Sequence, residues 1–136
     1  MAKMVLLASF VTLNASDLSS YCSSIEATAE VDEQDVTTFG SGGWKEVLGG
    51  LKSGSIKLKF KQDFAAAALD AIMWALLGTV VTFEVRAVNS ARSTSNPGYT
   101  GNCLIKKWVP ISGDVGSAAE VDVEFPTSGA MARQTA

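Results

Sequence analysis

The sequence predicts a mainly β domain, a sandwich or barrel of about six strands with one flanking helix. Three observations carry this. Apolar and polar residues alternate over 23–32, 53–61 and 118–125, as in strands with one face buried. Residues 79–88 are crowded with β-branched side chains. A single run, 63–78, is rich in Ala and Leu, free of Pro, and carries helix signals at both ends. At 136 residues and 47% hydrophobic, the chain reads as one domain, 1–136, able to build a core without staples.

Residues 4–13 form the first β-type run, closed by the turn-prone Asn14-Ala15-Ser16-Asp17. In 23–32, Ile25, Ala27, Ala29 and Val31 are expected to be dry, while Ser24, Glu26, Thr28, Glu30 and Asp32 are wet. A long connection follows, the arm 33–50. Gly40, Gly42, Gly43, Gly49 and Gly50 make it irregular, yet it carries Val36, Phe39, Trp44, Val47 and Leu48. Connections of this length inside a compact domain are uncommon and tend to be functional. Aromatic residues on such an arm suit docking, because Trp and Phe anchor interfaces. Residues 53–61 return as a strand, with Ile56, Leu58 and Phe60 dry and Ser55, Lys57, Lys59 and Lys61 wet.

The helix is expected over 63–77, with Asp63 as N-cap and Gly78 as the left-handed residue that closes it. Leu69, Ile72, Met73 and Leu76 make one bulky stripe; Phe64, Ala68, Ala71 and Ala75 make a flatter face roughly opposite. A helix apolar nearly all round is buried nearly all round. It is either an ordinary core helix or one held between its own sheet and a neighbouring subunit, and the periodicity alone leaves both open.

After a strand over 79–88 and a loop over 89–99, residues 100–111 and 118–125 are expected to form a hairpin around residues 112–116. In the last strand Val121, Val123 and Phe125 are dry, and Glu120, Asp122 and Glu124 are wet. Residues 127–136 read as a tail. If the lysine strand pairs with the acidic ones, cross-strand pairs neutralise part of the charge, at about 0.2–1 kcal/mol each.

Charge and composition exclude several functions. A net charge of −3, with no basic cluster, argues against sequence-specific nucleic-acid binding. There is no His, which removes the commonest general base and metal ligand together. Cys22 and Cys103 cannot form a zinc site alone and read as buried free thiols, with a disulfide between them the alternative; no metal or cofactor is expected. The start, MAKMVLLASFV, imitates a signal peptide only faintly and, with the chain beginning at Met1, is expected to be retained. No apolar stretch reaches the ~18 residues of a membrane span, so no membrane insertion is expected. The carboxylates lie on solvated strand faces, and Ser41 in Gly-Ser-Gly lacks the Gly-x-Ser-x-Gly elbow, so catalysis is not expected.

The acidic strand running into Val36-Thr37-Thr38-Phe39-Gly40 and then Trp44, the returning Gly50-Leu51-Lys52-Ser53-Gly54, and the closing Val123-Glu124-Phe125-Pro126 together resemble major tail tube proteins of long-tailed bacteriophages. The resemblance spans roughly residues 23–131. It implies a β-sandwich with a flanking helix, hexameric rings stacked into a hollow tube that conducts double-stranded DNA without binding it specifically, and a place in the virion tail after assembly in the bacterial cytoplasm. Its implied partners are further copies of the chain and the tail terminator, tape measure and baseplate or tip proteins. On that reading the arm residues Val36, Phe39, Trp44, Val47 and Leu48 contact neighbours, the face Phe64, Ala68, Ala71 and Ala75 meets another subunit, and Glu26, Glu30, Glu120, Asp122 and Glu124 line the lumen. The alternatives are a monomeric β-sandwich binding module and the inner tube of a contractile injection or secretion system.

Overall fold

The computed structural model, which describes residues 3–136, folds the alternating segments into two antiparallel sheets. The larger sheet holds β1 (Phe10–Leu13), β2 (Ser16–Asp17), β5 (Val80–Arg86), β6 (Gly98–Leu104) and β8 (Ala132–Gln134), in the order β2-β1-β5-β6-β8. The smaller holds β3 (Cys22–Asp35), β4 (Val47–Lys61) and β7 (Glu120–Pro126), with β4 in the middle. Helix α1 (Leu69–Leu76) joins β4 to β5. The chain crosses between sheets repeatedly, so each sheet holds strands far apart in sequence.

The core lies between the sheets. Val11, Leu13, Val81, Phe83, Val85 and Cys103 face inward from the larger sheet; Ile56, Leu58, Phe60, Val121, Val123 and Phe125 face them from the smaller. Burying each large side chain of this set contributes about 1.5–3 kcal/mol. The alternation in β4 and β7 is therefore read correctly. It fails in β3, where Ile25 reaches the core but Ala27, Ala29 and Val31 are exposed. For Ala29 and Val31 the reason is coverage: β3 and β4 run 14 and 15 residues, and β7 accompanies β4 only from Ser55 to Lys61. Ala27 lies opposite buried Ile56 but on the outer strand of the sheet. Beyond Gly54 the two strands continue alone as a hairpin, exposed throughout 29–35 and 47–53.

Three further expectations are corrected. The helix is Leu69–Leu76, shorter than 63–77. Ala67 sits at φ 59°, a left-handed conformation that interrupts any helix, and of residues 64–67 none is buried. Without burial a turn of alanines has little to hold it helical. Asp63 caps that preceding turn instead, its Oδ1 accepting the Ala65 N–H at 2.9 Å. Gly78 does take the left-handed conformation after the helix, at φ 86°. Second, β6 and β7 do not pair as a hairpin; they belong to different sheets, linked by a bridge between Cys103 and Thr127 just beyond β7. The segment between them is drawn across the sandwich by Ile105 and Trp108, both buried, with the Trp108 ring 6.3 Å from that of Phe60. Third, the tail is not free: Ala132–Gln134 pairs with β6 as β8, and Met131 packs on the core.

Candidate assembly surfaces

The first surface is the protruding hairpin. Its last seven residues on each strand extend about 23 Å at the rise of an antiparallel strand. The arm 33–50 is thus strand at both ends, 33–35 and 47–50, and its tip, 36–46, is a loop around a single helical turn. The tip is ordered by its own polar groups. Asp35 Oδ1 accepts the Thr37 N–H at 2.8 Å, and Thr37 Oγ1 accepts the Glu46 N–H at 2.8 Å. Thr38 and Ser41 form a capping box around the single turn Phe39–Ser41. Gly42 and Gly43 follow at φ 66° and 85°, where a side chain would be strained. These bonds hold two aromatic rings in water: Phe39 is 108% exposed and Trp44 79%. Val36, Val47, Leu48 and Leu51 are exposed behind them. The five arm residues singled out in the sequence therefore share one solvent-exposed element.

The second surface is the outer side of α1. Leu69 and Met73 are fully buried, with Ile72 and Leu76 packed against the same core, so the bulky stripe faces its own subunit. Asp70 accepts the Trp108 indole N–H at 3.0 Å, which ties the helix to the crossing segment. The other side is not buried within the chain. Ala71 and Ala75 are exposed, as is Trp74 between them at 62%; Phe64, 60% exposed, precedes the helix and so does not share its face. Ala68 departs from this face: it is 5% exposed and belongs to the interior. Trp74 was not among the expected interface residues, although its place between Ala71 and Ala75 was legible.

The third surface is the outer face of the smaller sheet. The register places Lys57 between Glu26 and Glu124, Lys59 between Ser24 and Asp122, and Lys61 beside Glu120. Lys61 and Glu120 form an ion pair, and that partner holds the Glu120 carboxyl below its ordinary range. Glu30 lies on the same face opposite Ser53. The lysines and the acids cannot point to opposite sides of the sheet. The face is a mixed lattice with the acids in excess, and its exposed pairs add little stability.

One cluster escaped the sequence reading. On the outer face of the larger sheet, Glu84 accepts hydrogen bonds from Arg86 and from Arg92, the latter at 2.8 and 2.9 Å. The Arg86 guanidinium also lies 4.2 Å from the centre of the Phe10 ring. Gly98 makes room for the carboxylate; a Cβ there would stand 2.7 Å from Glu84 Oε2. The Arg92 hydrogen bonds are the main cause that pulls the Glu84 carboxyl down to about 2. Its folded value lies below the unfolded one of 4.5, so its contribution is complete above that pH and is lost as pH falls towards 2. Replacing Glu84 with Gln is expected to cost about 2 kcal/mol at neutral pH, allowing for solvent screening. It should also flatten the acid limb of stability in urea titrations stepped from pH 5 to pH 2. An unchanged acid limb would assign acid sensitivity to other carboxylates.

Among the described residues, no group of His, Cys, Asp or Glu could hold a metal ion, and no helix is long and apolar enough to cross a membrane. Cys22 and Cys103 are free thiols. Against known proteins, a family model for phage tail tube proteins matches residues 22–133, from the start of β3 into β8. The chain belongs to the phage tail tube protein family. It is also similar in fold to a chain in the virion of a native gene transfer agent particle, with a TM-score of 0.74 at 20% identity over 93% of this chain and 95% of that one. A second similar chain, from the tail of an empty gene transfer agent particle with helical, C6 symmetry, gives a TM-score of 0.66 at 23% identity over 85% and 83%. No curated protein matches the chain. For a tail tube protein, the exposed hairpin and helix face are the surfaces of interest.

Proposed function

We propose that six copies of this tail tube protein close a ring and that rings stack into a hollow tube through which double-stranded DNA passes. The observation that carries this is the hairpin: an ordered element projecting from the sandwich with Phe39 and Trp44 in water. A soluble monomer rarely maintains such an apolar projection, and one of this kind marks an interaction site. The C6 symmetry of the similar gene transfer agent tail supports six as the copy number. The role is structural rather than catalytic, and the place of work is the virion tail, after assembly in the host cytoplasm. Proteins that terminate, measure and tip the tube are its further partners. Negative-stain microscopy and mass measurement of the purified chain test the proposal: rings or tubes are expected, and a stable monomer of 14.2 kDa at high concentration would overturn it.

In this tube the charged face of the smaller sheet lines the lumen, with Glu26, Glu30, Glu120, Asp122 and Glu124 outnumbering Lys57, Lys59 and Lys61. The excess repels phosphates within a Debye length of about 8 Å, while the interleaved lysines keep the repulsion shallow. DNA then slides without sticking. A density map of the tube is expected to place these residues on the inner wall; finding them on the outer surface would end this assignment.

A further inference from the structure

The smaller sheet has a free edge. On the side of β4 away from β3, β7 pairs only as far as Ser55, and the Thr127 N–H adds one last bond to the Gly54 carbonyl at 2.9 Å. The chain then leaves: the Ser128 N–H bonds to the Asn102 carbonyl, and β8 joins the larger sheet. Residues 47–53 of β4 are therefore paired on one side alone. Alternate N–H and C=O groups along this edge form a template for another strand. Where β7 departs, a groove of about 530 Å³ opens, lined by Ala29, Val31, Lys52, Gly54, Thr127 and Met131 among others.

The chain also carries an unpartnered run. Met4, Val5, Leu6 and Leu7 are 57%, 76%, 53% and 89% exposed, four apolar residues in succession. Among the described residues the first backbone bond of this run comes at Ala8, whose carbonyl accepts the Asn89 N–H. In its own subunit the run borders Ser23, Ser24 and Ile25 of β3, at the opposite edge of the smaller sheet. It cannot reach β4's free edge there, because β3 stands between.

We propose that residues 4–8 of one copy add as a strand to the free edge of β4, residues 47–53, in a second copy. The run, about 17 Å long when extended, fits within the edge of about 24 Å. The charges agree as well: across 29–53 the acids Glu30, Asp32, Glu33, Asp35 and Glu46 outnumber Lys45 and Lys52, and the run is flanked by Lys3 with no acid before Asp17. Val47, Leu48 and Leu51 give the added apolar residues something to pack on. Run and acceptor lie at opposite edges of the smaller sheet, so the contact is head-to-tail, the type that closes rings or propagates along an axis. The run precedes residues 22–133, which the family model matches. The inference rests on the proposed tube.

A strand turns alternate N–H groups towards its neighbour, so proline is tolerated at every second position only. Leu6→Pro and Leu7→Pro should therefore differ: one lowers tube yield by about tenfold or more, and the other leaves it near the parental value. In a Cys22→Ser background, a Leu6→Cys chain mixed with a Leu48→Cys or Leu51→Cys chain should form an intermolecular disulfide on oxidation, while Val115→Cys in the remote loop should not. If the parental chain forms tubes and both prolines leave the yield unchanged, or lower it equally without cross-linking, the strand addition is wrong and the tube stands. If the parental chain never assembles, both fall.

Discussion

Replacing Trp44 with alanine is expected to leave the subunit folded and to stop it assembling. Trp44 is 79% exposed and Phe39 has no cover at all, so neither contributes to the core between the sheets. Surface substitutions of this kind usually change folding stability by no more than about 0.5 kcal/mol. The tip is held by Thr37, Thr38, Ser41 and Glu46, not by its rings, so its conformation should survive the truncation. Assembly is a different matter. A buried aromatic anchor is worth about 2 kcal/mol or more at an interface, roughly a thirtyfold change in one contact, and a tube repeats the contact in every subunit. Phe39→Ala should behave in the same way. The measurements are thermal unfolding of the isolated subunit and tube yield by sedimentation. Equal losses in the two would mean that the tip folds back on its own domain in solution.

What the residues disclosed depended on where the partner groups lay. Alternation in β4 and β7 was readable because both strands are covered on one face over their paired length. The same pattern misled in β3, since Ala29 and Val31 alternate correctly but lie beyond the covered part of the sheet, and Ala27 is exposed on the outer strand opposite buried Ile56. A dry face in the sequence thus records burial without saying whether the cover is the chain itself or a neighbour. The false hairpin between β6 and β7 had another cause. Nothing in residues 105–119 marks a crossing until Trp108 is seen against Phe60, 48 positions away. The edge strand β8 has only three residues, Ala132, Arg133 and Gln134, with no alternation to detect; its backbone bonds define it. Glu84 and Arg86 share a strand face two residues apart, which is a visible signal, but Arg92 reaches them from a loop. Charge and exposed aromatics, by contrast, were legible directly, and they mark the arm and the mixed charged sheet.

The helix offers the sharpest separation of folding from assembly. Met73 is fully buried in the core, and its replacement by alanine should destabilise the isolated subunit by about 2–5 kcal/mol, through lost burial and a residual cavity. Half-buried Leu76 should cost less than Met73. Ala71 lies on the other side of the same helix, exposed in the single chain, between Asp70 and Ile72 in sequence and one turn from Ala75 and Trp74. Glutamate at this position meets water in the isolated subunit and keeps a good helix former in place, so Ala71→Glu should fold normally. In a ring, the same side chain would carry an unpaired charge into a contact that excludes water, which costs several kcal/mol unless a partner is supplied. Ala71→Glu is therefore expected to melt like the parent and to remain unassembled, whereas Met73→Ala is expected to melt early. Normal tubes from Ala71→Glu chains would show that this face is not a subunit boundary. The exposure of Trp74 and Phe64 would then require a different partner.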